Sequence, residues 1–314
     1  MRKLPMVLAV RQVHPRFFGE ITGADLIGEP DENLRNFVEQ AMAEHAVCVV
    51  RHSPISDEQH LRFARLFGPL ELPPGYAERK AASVRPRIAP EMFFAGNIDD
   101  DNQIIPPKPP SQDIGAGAQR FHADSSFNPQ PSKWSMLRGV ECPPSEVGGD
   151  TLFADMRAAF DDLPPEMQQR LEGLTGIHDF WKGREYAGLT VSDSMRTRFR
   201  MPPMEHPLVR TMANGRKSLF VGGHCTGVKG MSEEEGHELV EWLYRHTTSD
   251  QYVHRHQWVE GDIVIWENRC ALHAATPLNT SEYRRDMRRA TVNESGREMD
   301  AYHAAGITGA SLTD

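Results

Sequence analysis

No Cys-x-x-Cys pair occurs among Cys48, Cys142, Cys225 and Cys270, the four cysteines of this 314-residue chain. Neither a zinc ribbon nor a redox dithiol is therefore expected, and the thiols read as buried and free. Positive charge is not in excess either. Against 35 Lys and Arg stand 44 Asp and Glu, a formal net charge of -9, which argues against nucleic acid or an anionic membrane as the main partner. Long apolar runs are missing: residues 4–10 follow Arg2 and Lys3 but are short for a signal core, with no small-residue cleavage site after them. A cytoplasmic protein is expected, with no membrane partner. No repeat of solenoid length occurs, and the oligomeric state is left open, a homo-oligomer included.

What is present reads as one domain over 1–314, since single sandwiches and barrels often exceed 200 residues. Leu34, Phe37, Val38, Ala41 and Met42 fall at helical spacing over 32–44, and the β-branched run 46–50 reads as a buried strand. Ser56 with Gln59, and Ser232 with Glu235, form capping boxes for two further helices, the first closed by Gly68. Short strands separated by Gly and Pro turns fill much of the rest, for example 253–259 and 263–266. The pattern fits antiparallel sheets with helices packed outside. Residues 71–119, broken by Pro73-Pro74-Gly75, Asp99-Asp100-Asp101 and a proline-rich stretch at 105–110, read as a lid over whatever site follows.

That site is marked by His122 and Asp124, two residues apart and on one face if the strand is extended, together with the distant His273. Two imidazoles and one carboxylate on one face of an octahedral ion leave three positions open, the ligand set of a non-haem iron(II) oxygenase. A structural metal site would be closed. Three other features accompany the triad: the turn Gly148-Gly149-Asp150 with the hydroxyl of Thr151 just inside the next strand, the run Gly261 to Trp266 ahead of His273, and the cluster Arg284, Arg285, Arg288 and Arg289. Guanidinium groups bind planar carboxylates bidentately. His254 and His256 also sit two apart, but no carboxylate motif accompanies them, so solvent or strand neighbours are expected to face them.

Through Phe121-His122-Ala123-Asp124-Ser125-Ser126-Phe127, Gly148-Gly149-Asp150-Thr151, Asp155-Met156-Arg157-Ala158-Ala159-Phe160 and Met201-Pro202-Pro203, the chain resembles the taurine and 2,4-dichlorophenoxyacetate dioxygenase family of iron(II), 2-oxoglutarate-dependent oxygenases, in particular its phenoxyalkanoate branch. The resemblance implies a mainly β fold with flanking helices, a double-stranded β-helix (jelly roll) of the cupin type. It implies His122, Asp124 and His273 as iron ligands, Thr151 and Arg285 as partners of the far carboxylate of 2-oxoglutarate, and Arg289 as the partner of an anionic primary substrate. His224 matches a region near that substrate. Arg284 and Arg288 stay open as substitutes for Arg285 and Arg289, since the loop before them leaves the register unsettled.

The implied reaction takes iron(II), 2-oxoglutarate and O₂, and hydroxylates a small anionic, aromatic substrate next to an ether oxygen. A phenol and glyoxylate, or another 2-oxo acid, are released with succinate and CO₂, a step in aromatic degradation. Because the carboxylate of Asp124 is present, hydroxylation is favoured over halogenation. A sulfonate, alkyl sulfate or other small carboxylate as substrate, a zinc hydrolase and a non-catalytic jelly roll are the alternatives.

Overall fold

The computed structural model describes residues 7–300 apart from 52–53, 74–75, 82–86, 108–113 and 199. Parts of the expected lid (Pro74, Gly75 and 108–110) and of the N-terminal apolar stretch lie outside the described residues. Two sheets face one another, the larger mixed, with Gly19–Thr22 parallel to Val47–Val50 and Met299–Asp300 parallel to Leu70–Leu72, and the smaller antiparallel. The larger runs in the order Ala9–Gln12, Gly19–Thr22, Val47–Val50, Ile263–Glu267, Trp134–Glu141, Asp286–Val292, Leu70–Leu72, Met299–Asp300, with Phe93–Phe94 also paired to Asp286–Val292. The smaller is Val253–His256, Thr151–Asp155 and Ala271–Ala275.

Strand periodicity sorts the side chains into layers. In Ile263–Glu267, Ile263 and Ile265 pack with Leu34, Val38 and Phe63 of the outer helices, whereas Val264 and Trp266 pack with Phe153 of the opposite sheet. In the smaller sheet Phe153 and Ala271 point inward, while Ala154 and Leu272 meet Val240 and Leu243 of the helix Glu233–Thr247. Four layers result, helix, sheet, sheet, helix, with a core at each interface. This is a jelly roll with flanking helices, as expected.

The helices begin where their caps dictate. Ser56 and Ser232 form both expected capping boxes, opening Asp57–Arg65 and Glu233–Thr247. Asp31 caps Glu32–His45 by accepting from the Leu34 N–H. Two expectations need correction. The strand expected over 253–259 ends at His256, because its register partner there, Thr151, is the first residue of the neighbouring strand. His122 and Asp124 do not lie on a regular strand: an isolated bridge joins His122 to His273, and Ser125, at φ 52°, turns the chain away immediately after Asp124.

The cysteines are free, with Cys48, Cys225 and Cys270 buried and Cys142 partly so. Among the described residues no helix is long and apolar enough to cross a membrane.

Candidate active site

Two backbone hydrogen bonds, His122 N–H to His273 C=O at 3.0 Å and the reverse at 2.9 Å, clamp the two distant segments together. The imidazole centroids lie 4.2 Å apart. Ligand atoms of His122, Asp124 and His273 all fall within 4.8 Å of one another, the one such cluster of three found among the described residues. The arrangement fits a divalent ion with N₂O donors. His122 Nδ1 sits 2.9 Å from the Arg120 carbonyl; a carbonyl only accepts, so this nitrogen carries the proton and Nε2 keeps its lone pair. Burial lowers His122 and pushes His273 down to about 3, leaving both imidazoles neutral at pH 7. Burial opposes ionisation of Asp124, but Arg289 foremost, then the imidazoles, hold it well below the usual carboxylate range.

A network behind Asp124 fixes its orientation. Ser135 Oγ donates to Asp124 Oδ2 at 2.7 Å, Asn268 Nδ2 donates to Ser135 Oγ at 3.0 Å, and Asn268 Oδ1 accepts from the Asp124 N–H at 3.0 Å and from Trp266 Nε1 at 2.9 Å. Sequence reasoning passed over Ser135, whose inward position follows from alternation with Met136. It also passed over Asn268, which lies between the run ending at Trp266 and His273. Supports of this kind orient metal ligands.

The pleat divides the four arginines between two faces. Arg285, Met287 and Arg289 face inward, Met287 lying in the inter-sheet core. Arg284 points outward to Glu141 at 2.6 Å, and Arg288 to Asp57 and Asp286 at 2.9 Å. Arg289 donates to Asp124 Oδ1 at 2.6 Å with its guanidinium 4.6 Å from the centre of the Phe93 ring. Arg285 donates to the Ala95 carbonyl, its Nε is buried with no partner, and burial pushes it down to about 10, so it stays cationic at pH 7. Thr151 is buried on the strand paired with the His273 strand, its hydroxyl accepting from Trp258 Nε1 at 3.0 Å.

Beside the triad opens a cavity of about 370 Å³ lined by His122, Asp124 and Arg289, with Phe93, Phe94, Phe127, Phe180 and His224 among its walls. The His224 ring lies 5.6 Å from that of His122, with its Nδ1 3.3 Å from Ser126 Oγ. Burial lowers it well below 6.5. The cavity also holds Arg120 and Arg184, and Glu71, whose buried carboxylate accepts from Ser125 Oγ at 2.6 Å and Ser132 Oγ at 2.7 Å. None of these three was singled out in the sequence, since an acid or arginine with no motif around it carries no signal.

His254 and His256 belong elsewhere. The His254 ring packs 4.1 Å from Phe18, and the buried His256 lies 3.3 Å from Asp262, so loop residues, rather than the neighbours on the paired strand, face them. Of the segment 71–119, Glu71 is buried in the larger sheet and Ala95 donates its N–H to Met287 at 2.9 Å. These parts are body. The 3-10 helix Ile114–Gln119 instead reaches the cavity through Gly117 and Ala118.

An open N₂O site inside a jelly roll, with cationic side chains around it, is the architecture of a mononuclear metal oxygenase. The chain belongs to the family described as taurine catabolism dioxygenase TauD, TfdA family, whose model matches residues 9–291. It is 39% identical over 289 residues to the alpha-ketoglutarate-dependent 2,4-dichlorophenoxyacetate dioxygenase of Cupriavidus pinatubonensis, covering 91% of this chain and 98% of that one. Identity to the (S)-phenoxypropionate/alpha-ketoglutarate-dioxygenase of Sphingobium herbicidovorans is 31% over 281 residues, covering 85% and 89%. Among solved structures, AAD-2 in complex with Mn(II) and N-oxalylglycine superposes with a TM-score of 0.80 at 32% identity, covering 91% of this chain and 98% of that one. The protein is thus an enzyme, a dioxygenase that depends on iron(II), 2-oxoglutarate and O₂.

Proposed function

We propose that the enzyme oxidises an aryloxyalkanoate at the carbon next to the ether oxygen, with a sulfonate, alkyl sulfate or other small carboxylate as the alternative substrate. Arg289 carries this reading: its guanidinium stands between the Asp124 carboxylate and the Phe93 ring at the wall of an aromatic-lined cavity. A planar carboxylate meets that fork bidentately. Phe127, Phe180 and His224 flank the space left for an apolar ring. The substrates named for the two relatives are of this chemical class.

His122, Asp124 and His273 would hold the iron, and Thr151 with Arg285 would hold the far carboxylate of 2-oxoglutarate. When bound, iron(II) and 2-oxoglutarate supply the activation of O₂, one oxygen atom going to the substrate and the other to succinate as CO₂ leaves. The protein's own part is to aim the target C–H and to exclude water. Hydroxylation next to the ether oxygen gives a hemiacetal that breaks into a phenol and a 2-oxo acid, glyoxylate for an oxyacetate. Ile114–Gln119, through Gly117 and Ala118, would serve as the cover over this space. A cytoplasmic location, as part of aromatic degradation, agrees with the free buried thiols.

The test is an anaerobic titration with iron(II) and 2-oxoglutarate, followed by aryloxyalkanoates, sulfonates and alkyl sulfates scored by O₂-dependent succinate release. Aryloxyalkanoates should give succinate together with a phenol. Efficient turnover of taurine with none of any aryloxyalkanoate would overturn the substrate class and leave the co-substrate intact.

A further inference from the structure

Trp258 Nε1 lies 3.0 Å from Thr151 Oγ1, with both side chains buried. An indole N–H can only donate, whereas a threonine hydroxyl donates once and accepts. The direction of this bond is therefore fixed: Trp258 donates and Thr151 accepts. The hydroxyl proton must then point elsewhere, and among the described residues no side chain or carbonyl takes it.

The surroundings say where it is aimed. Thr151 precedes Phe153 by two positions on one strand and so shares its inward face. Arg285 stands in the same relation to Met287 on the opposite sheet. Phe153, Met287 and Trp258 belong to one core, so the hydroxyl and the guanidinium flank the same interior. Gly139, the register partner of Met287, makes room for the indole; a Cβ there would come within 3.4 Å of Trp258 Cε3 and 2.6 Å of Cys142 Sγ.

We propose that Trp258 is a positioning residue for the co-substrate: by occupying an acceptor site on Thr151, it commits that hydroxyl to donate to the far carboxylate of 2-oxoglutarate beside Arg285. The inference rests on the assignment of Thr151 and Arg285 made above. A hydroxyl already accepting one hydrogen bond is also polarised into a better donor. Without the indole, the hydroxyl is free to rotate and to accept, which an anion does not reward.

Calorimetric titration of the Mn(II)-loaded protein reads the effect without turnover, using 2-oxoglutarate and 2-oxobutanoate, which shares the keto-acid end and lacks the far carboxylate. Thr151→Val should weaken 2-oxoglutarate about tenfold, the scale of one hydrogen bond to a charged group. Trp258→Phe should weaken it by about three- to tenfold, leave 2-oxobutanoate unchanged, and add nothing in a Thr151→Val background. Equal losses for both ligands, or a Trp258→Phe effect that persists without the Thr151 hydroxyl, refute the role of Trp258 while Thr151 keeps its own. Wild-type affinity in Thr151→Val removes the underlying assignment, and the proposal with it. Should Trp258→Phe not fold, the Trp258 indole N–H resonance of the Zn(II)-loaded wild type decides. It should shift on adding 2-oxoglutarate and not on adding 2-oxobutanoate; an unmoved resonance overturns the proposal.

Discussion

At the scale of single residues, alternation along 284–289, from the loop end into the strand Asp286–Val292, separates four arginines by face. Arg285→Ala should weaken 2-oxoglutarate by about 2–5 kcal/mol, the cost of leaving a buried carboxylate unpaired, while Arg284→Ala, which loses outward bonds to Glu141 and Asn102, leaves it unchanged. Equilibrium titration under anaerobic conditions distinguishes them, and a larger effect from Arg284 would reverse the register. Arg289→Ala should raise the KM for an aryloxyacetate far more than the 2-oxoglutarate requirement and release succinate without matched phenol. For the triad, His273→Ala should abolish both Mn(II) binding and turnover, a greater loss than the roughly 10- to 100-fold that follows changes behind the ligands. Full activity in that variant would remove the ligand assignment.

At the scale of elements, the turn before Thr151 depends on glycine for two separate reasons. Gly148 has φ 97°, and a Cβ there would meet the Pro277 carbonyl at 1.8 Å. Gly148→Ala should therefore cost about 1–3 kcal/mol from the backbone conformation alone, and displace the start of the Thr151 strand as well. A lowered Tm together with weaker 2-oxoglutarate binding is the expected pair of results; a lowered Tm with unchanged binding would separate the turn from the site. The cover is tested by hydrogen exchange. Ile114–Gln119 should gain protection when an aryloxyalkanoate binds, whereas Phe93–Phe94, paired to the arginine strand, should be protected throughout. Equal protection of Ile114–Gln119 in both states would make it a static loop. The helices were legible because caps and apolar spacing act within a few residues, and Ser56 and Ser232 cap as their sequences imply. The His122–Asp124 segment was less so. Its conformation is set by a bridge to a residue 151 positions away, which no local propensity encodes.

For the whole molecule, four layers of packing also bury histidines that do not line the cavity. Burial pushes His60 and His178 down to about 3. In the unfolded chain they titrate near 6.5, so as pH falls the unfolded state takes up protons first. Their contribution to stability is whole above pH 6.5 and is lost progressively towards pH 3, at roughly 1.4 kcal/mol per pH unit for each histidine. The Tm should therefore fall between pH 6.5 and 5; a flat profile there would show that these imidazoles are not buried neutral.

The sequence by itself determined the chemistry: two imidazoles and a carboxylate, a hydroxyl after a glycine turn, and arginines spaced to share a strand face, all legible because ligand identity and short spacing are local facts. Tertiary structure decided everything that needs two distant segments at once. Pairing of Asp286–Val292 with Trp134–Glu141 fixed which arginines look inward, closure of the sheets brought Trp258 onto Thr151, and Glu71 reached the cavity only because its strand lies beside Thr291. The physical reason is that a pleated strand offers two faces, and only the partner that buries one of them decides which residues meet the substrate.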